Sequence, residues 1–427
     1  MRSLSIVPLF VLSAACAAAA PPPAASAVPT SAASAATSAA TSAATSGAAP
    51  TKAASTSATF DAANAFTLDV YRSLDGRKGN LFFSGASLRD ALGQAYLGAR
   101  GDTASEMSAA LHLDRDPIES AAQAKAEGAA WAAAKGSAEL VVANRLWADK
   151  RFPIAPSFTQ RALEAYGAPV ESLDFLGNPE ASRVTINRWV GVQTKERIPD
   201  LLPAGSLSNA TRLVITNAIY FKGDWASPFT KEATRDAPFA IDGKTSAPVG
   251  MMHETATAKL ASGDGAHVLE MAYAGSTLAM DVILPDAPDG LGAIEGKLTP
   301  DALARWTSQL APTRVSIGMP KVKFTWGESM NDTLKKLGMK KAFTSADFRG
   351  IAESDPIAID QVVHKAFVAI DEKGTEAAAA TGVTMIAATA FSPPAASFVA
   401  DHPFVFVVRD TVRGEILFMG RVTDPRA

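Results

Sequence analysis

Few residues of this chain are placed to do covalent or metal chemistry. Cys16 is the sole cysteine, so neither an intrachain disulfide nor a thiolate metal cluster can form. The five histidines stand singly, and His253-Glu254 is not followed by a second histidine at the spacing of a helical zinc site. There is no Gly-x-Ser-x-Gly elbow for a hydrolase nucleophile. Gly243-Lys-Thr245 lacks the upstream glycine of a phosphate loop, and Gly263-Asp-Gly265 is only a turn. These absences argue against a hydrolase, a nucleotide-dependent enzyme or a metalloenzyme, and imply no cofactor and no metal ion.

The elements around His364 are more informative. Residues 357 to 370, Ile-Ala-Ile-Asp-Gln-Val-Val-His-Lys-Ala-Phe-Val-Ala-Ile, alternate apolar and polar through a β-branched run and read as a half-buried strand. Within it His364 reads as a core histidine satisfied by a hydrogen bond. Gly374 breaks the strand. Beyond it, Thr375, Ala377, Ala379, Thr381, Val383 and Met385 occupy every second position, so one face of a continuing strand is small or apolar and uncharged. The other face begins with Glu376 and holds nothing large. A segment of this kind has no bulky anchor, and it is expected to be exposed in one state and buried as a strand in another.

The run Asp371-Glu-Lys-Gly-Thr-Glu-Ala-Ala-Ala-Ala380 resembles the hinge of the serpins, which carry Glu-x-Gly-Thr-Glu-Ala-Ala at the base of an exposed bait loop. Glu372, Gly374, Thr375 and Glu376, with Ala377, Ala378, Ala379 and Ala380, match the inhibitory form of that hinge. Further matches follow in order over about residues 60 to 427. Asn80-Leu-Phe-Phe-Ser-Gly-Ala-Ser87 resembles the serpin strand-to-helix segment, with Gly85 where a proline is usual. Asn217-Ala-Ile-Tyr-Phe-Lys-Gly-Asp-Trp225 resembles the third strand of the central sheet. Pro248-Val-Gly-Met-Met252, Val363-His-Lys-Ala366, Asp401-His-Pro-Phe404 and Phe418-Met-Gly-Arg421 complete the series. Two departures stand out: the stretch from the hinge to Asp401 is long, and Arg89-Asp90 puts charges on a helix that is usually small and apolar.

The resemblance implies an α+β serpin fold with three β-sheets, about eight or nine helices and a reactive loop able to insert into the central sheet. It implies a monomeric suicide inhibitor of serine proteases, not an enzyme. The protease attacks the loop, forms an acyl bond and is trapped as the cleaved loop enters the sheet. Counting sixteen residues on from Glu372, as in the family, points to Ala388-Thr389 as the reactive bond. A small residue there suits elastase-like or subtilisin-like proteases. Met385 and Ala387 remain alternative sites, and Phe391 would indicate a chymotrypsin-like target. By the same resemblance Ser84, Ser87, Asn217 and His364 form the polar cluster where strands part, Trp225 stands at the point of entry, and Glu372 holds the hinge at the top of the sheet. The alternative function is a serpin-fold binding or storage protein that traps nothing.

The chain has 427 residues, 48% of them hydrophobic and 19% charged, with a formal net charge of −3. Arg2 and Lys52 are the only charged residues before Phe60, so the remainder is more acidic than the whole. Neither this balance nor the alanine-rich segment Ala121 to Ala134 suggests a nucleic-acid or glycosaminoglycan footprint. Residues 1 to 15 place a short apolar run behind Arg2 and read as an export signal, too short to span a membrane. Leu12-Ser-Ala-Ala-Cys16 is similar to a bacterial lipoprotein signal, so Cys16 is a candidate lipidation site and a membrane tether, with ordinary cleavage among the alanines as the alternative. The expected location is therefore the cell envelope, as a lipoprotein, or the extracellular space. Residues 16 to 59, rich in Ala, Ser, Thr and Pro, read as a flexible tether. Residues 60 to 427 are expected to form one domain. Helical spacing marks Asp61 to Leu74, Ser87 to Leu97, Ala104 to Leu113, Pro179 to Gln193 and Met330 to Leu337. Strands are expected at Glu139 to Trp147, Leu213 to Lys222, Val268 to Ala272, Leu278 to Leu284, Val315 to Phe324, Phe404 to Val408 and Glu415 to Met419. Helices first and strands later argue for α+β.

Overall fold

The computed structural model describes residues 51–74, 76–168, 170–241, 245–353, 357–375 and 394–427, with side-chain surroundings from residue 61 onward. The unit Pro50–Ala427 opens with a helical half. It runs α1 (Thr51–Leu74), β1 (Leu81–Phe83), α2 (Gly85–Gly98), α3 (Gly101–Ala110), α4 (Pro117–Ala134), β2 (Glu139–Asp149), α5 (Pro156–Tyr166), β3 (Glu171–Leu173) and α6 (Pro179–Gln193). The strand-rich half follows as β4 (Leu213–Asp224), β5 (Arg235–Ile241), β6 (Thr245–Gly263), β7 (Ala266–Ala272), β8 (Leu278–Pro285), α7 (Leu291–Glu295), α8 (Pro300–Ser308), β9 (Ala311–Pro320) and β10 (Val322–Ser329). It closes with α9 (Asn331–Lys336), β11 (Ile359–Ile370), β12 (Gly374–Thr375), β13 (Ala396–Val399), β14 (Phe404–Asp410) and β15 (Ile416–Val422).

Local chemistry starts the helices. Asp116, Asn178 and Thr299 cap α4, α6 and α8 through side-chain oxygens, each followed by a proline whose missing N–H costs nothing in the first turn. Ser84 caps α2 by accepting the N–H of Ser87 at 3.0 Å. The glycine that replaces the usual proline at position 85 has a steric reason: a Cβ there would lie 2.2 Å from the Thr67 hydroxyl of α1.

Two hydrogen-bonded sheets organise the described residues. The central one has six strands in the order β10-β11-β12-β4-β2-β3, and β4 and β11 run parallel from Leu213 opposite Ile359 to Tyr220 opposite Phe367. The other has nine strands, β1-β15-β14-β8-β7-β6-β9-β13 with β5 on β6. Its two limbs, one toward β9 and β13 and one toward β7 and β1, are joined by the nineteen-residue β6, so with the central sheet they supply the three expected sheets. One core lies between the sheets around Phe221, Phe239, Tyr273 and Phe418, and another lies beneath α1 and α2. This is the α+β architecture that the resemblance implies, with nine helices among the described residues.

One expectation is corrected here. Val315 to Phe324 is not a single strand: β9 ends at Pro320, which has no N–H to continue a ladder, and Lys321 instead bonds the carbonyl of Gly250 at 2.9 Å. β10 then begins in the other sheet, so Lys321 sits at the junction of the two.

Candidate functional site

The site begins where β4 and β11 lie side by side. Asn217 and His364 are opposite one another in that parallel pair, and both are fully buried. The backbone N–H of Ser84 can only donate, so His364 Nε2 accepts it at 3.3 Å and the ring proton sits on Nδ1, donating to Asn217 Oδ1. Burial lowers the imidazole to about 3, so it is neutral. Asn217 Nδ2 donates to Ser87 Oγ at 2.6 Å, to the Ser87 carbonyl at 3.2 Å and to Asn144 Oδ1 on β2. The four residues named from the sequence, Ser84, Ser87, Asn217 and His364, are therefore brought together, with Asn144 as a fifth member. A seam of this kind can exchange hydrogen-bond partners when its strands separate, whereas an apolar seam has none to exchange.

The charged pair on α2 attaches to this seam. Asn144 Nδ2 also donates to Asp90 at 2.9 Å. Burial pushes the Asp90 carboxyl up to about 7, the Asn144 bond opposes that, and the Glu127 charge adds to it. Arg89 turns away, donating to the carbonyls of Leu111 and His112 and pairing with Glu127 of α4. Glu415 lies nearby, fully buried and accepting Trp131 Nε1 of α4 at 2.9 Å, and burial raises its carboxyl to about 8. A carboxyl whose folded pKa is raised contributes fully below its unfolded value and loses that contribution as pH rises through the folded one. Glu415→Gln keeps the acceptor for Trp131 and removes the titration. It is expected to melt with wild type at pH 4, then to gain stability toward pH 8 by up to ~1.4 kcal/mol per pH unit and level off. Parallel melting curves across that range would refute the assignment.

At the head of the seam, β12 sits between the two strands. Gly374 and Thr375 pair antiparallel with Asp224 and Gly223 of β4, and Thr375 pairs antiparallel with Ile370 of β11. Gly374 is required there, since a Cβ would lie 2.0 Å from the Gly223 carbonyl oxygen. Thr375 is buried, and Oγ1 lies 2.8 Å from the hydroxyl of Tyr273. Trp225 holds the preceding turn: its indole N–H donates to the Asp371 carbonyl at 3.0 Å and its backbone N–H to that of Lys373 at 2.7 Å. Glu372 accepts two bonds from Lys321 Nζ at 3.0 and 3.1 Å and one from Thr234 Oγ1 at 2.9 Å. Burial pushes this carboxyl up, but the Lys321 and Thr234 bonds outweigh it and hold it below the usual range.

Sequence reasoning missed Tyr273, Lys321, Thr234 and Asn144, because each meets the site only through tertiary pairing. Glu376, Ala377 to Ala380 and the reactive bond Ala388-Thr389 lie outside the described residues, as do Met385, Ala387, Phe391 and Cys16.

A model of the serpins, serine protease inhibitors, matches residues 61–425. The chain belongs to the serpin family. It is 40% identical to the leukocyte elastase inhibitor of Bos taurus over 378 residues, which cover 85% of this chain and 99% of that protein. Its structure is similar to Serpin48 of the insect Tenebrio molitor, with a TM-score of 0.78, 30% identity and coverage of 88% of this chain and 100% of that one. It is equally similar to thyroxine-binding globulin complexed with thyroxine, with a TM-score of 0.78, 27% identity and coverage of 86% and 99%. This serpin is a protease inhibitor by family, and serine proteases are its partner class.

The expectation of an exported or lipid-anchored location is not upheld. The bovine relative matches over 99% of its own length and the family model begins at residue 61, so that inhibitor consists of the domain alone, with no leader in front of it. Residues 1 to 15 lie outside the described residues.

Proposed function

We propose that this serpin is a suicide-type trap for elastase-like serine proteases, cut at Ala388-Thr389 and closed by insertion of the cleaved loop between β4 and β11. The observation that carries this reading is β12: the hinge already occupies the head of the seam, antiparallel to both neighbours. The observed register can be continued down the strands. Thr375 opposite Gly223 leads to Thr381 opposite Asn217 and Met385 opposite Leu213, the first residue of β4. On the other side, Thr375 opposite Ile370 leads to Thr381 opposite His364. Insertion therefore brings the one mid-strand hydroxyl on the small face between Asn217 and His364, where it can accept the Nδ1–H that Asn217 holds before the strands part. The small inward face and the polar seam are complementary at that position. Once the acylated protease is carried along, its oxyanion hole is distorted and deacylation fails.

Elastase is favoured because the residue before the proposed bond is Ala388 and the bovine relative is named an elastase inhibitor. The purified protein is expected to form an adduct with an elastase-like or subtilisin-like protease that survives boiling in detergent. Intact mass of the released fragment should place the cut after Ala388. Cleavage there without an adduct, across a panel of proteases, would favour the second reading, a serpin-fold binding protein. The similarity to the thyroxine complex gives that reading its support, since fold alone does not decide between trapping and carrying.

A further inference from the structure

We propose that Tyr273 is a positioning residue for loop insertion: its buried hydroxyl holds Thr375 in register at the head of the seam, so that insertion starts from a hinge already placed. This rests on the insertion reading above. Tyr273 follows β7 in the nine-stranded sheet, yet its hydroxyl reaches across to Thr375 of the central sheet at 2.8 Å, its only hydrogen-bond partner among the described residues. The ring is clamped, stacked on Trp225 at 4.7 Å and set edge-on to Phe221 at 4.9 Å. The backbone is fixed as well, through a bridge between Tyr273 and Trp225 and a bond from its N–H to the Leu278 carbonyl at 3.0 Å. Gly223 makes room for it, because a Cβ at that position would lie 2.7 Å from the tyrosine ring.

The hydroxyl is thus a fixed point supplied from outside the sheet that opens. The contacts from Trp225, Phe229, Thr234 and Lys321 hold Asp371 to Lys373, while Gly374 and Thr375 are held by backbone pairing with β4 and β11. Among the described residues, Tyr273 alone makes a side-chain bond to the first inward-facing residue of the inserting face. A one-residue slip would turn every following side chain to the opposite face, so holding that residue sets the register for the whole strand.

Tyr273→Phe keeps the packing and removes the bond, and Thr375→Val removes it from the other side if the tyrosine variant folds poorly. Two measurements apply. In the free protein, hydrogen exchange of a peptide spanning residues 371 to 376 is expected to quicken about fivefold, the scale of one buried hydrogen bond. With elastase, the ratio of trapping to release is expected to fall by a similar factor while the rate of initial acylation holds, and the double variant should add nothing to either single one. Unchanged exchange would overturn the contact's role in holding the hinge. Faster exchange with an unchanged ratio would mean that the hinge is held but insertion does not start from it, which overturns the positioning role. Absence of any adduct from wild type would instead remove the trapping reading, while the exchange measurement still reports on the hinge.

Discussion

Thr375→Arg is expected to turn the inhibitor into a substrate. Thr375 is only 1% exposed, wedged between Gly223 and Ile370 and bonded to Tyr273, so an arginine has no room in the resting hinge. Burying an unpaired guanidinium costs several kcal/mol even after relaxation. The same cost falls on the first step of insertion, which should slow by orders of magnitude, since each ~1.4 kcal/mol is a tenfold change in rate. Acylation takes place at the far end of the loop and should stay near the wild-type rate. The acylated protease then hydrolyses its bond and leaves, so the stoichiometry of inhibition climbs while cleavage continues. Glu376→Arg, one position along and on the opposite face by alternation, is the control and should be nearly silent. Equal increases from the two substitutions would sink the alternation argument.

How much of this was legible in the sequence follows from how local each signal is. The strand that carries His364 and the alternation after Gly374 could be read from period alone, whereas the grouping of Ser84, Ser87, Asn217 and His364 came only from the resemblance to the serpins, since two of them start a helix and two lie on separate strands. The helix starts carried proline and a capping residue, although α5 and α8 went unread because their apolar stripes are short. The β5 and β6 pairing was invisible for a specific reason. Pro238 stands opposite Pro248, and prolines mid-run argue against a strand unless it lies at a sheet margin, as β5 does. Lys321 and Glu372 are 51 residues apart, and Tyr273 and Thr375 are 102 apart. No local pattern announces such partners. In the sequence Tyr273 is an ordinary core aromatic and Lys321 a charge inside what reads as one strand, and only the change of sheet at Pro320 gives the lysine its task. Arg89 and Asp90, conspicuous as departures, prove to be ties from α2 to α4 and to Asn144.

Nicking the loop near Ala388 is expected to raise the melting temperature, where nicking most proteins lowers it. Continued from β12, the observed register lets residues Thr375 to Met385 enter between β4 and β11 once their direct pairing parts, adding a central strand with neighbours on both sides. About a dozen new backbone hydrogen bonds at ~1 kcal/mol net each supply on the order of 10 kcal/mol, comparable to the stability of a whole domain. For a domain of this size that corresponds to a rise on the order of 10 °C. The gain also has an internal check. His364 Nδ1–H loses Asn217 Oδ1 when the strands part, and a buried donor left unpaired costs ~1 to 3 kcal/mol. Thr381→Val should therefore leave the melting of the intact protein nearly unchanged and take a few degrees off the gain on nicking. A full gain in that variant would mean that Thr381 does not arrive at the seam and that the register extrapolated from β12 is wrong. A melting temperature unchanged or lowered by nicking the wild type would mean that the loop does not insert at all.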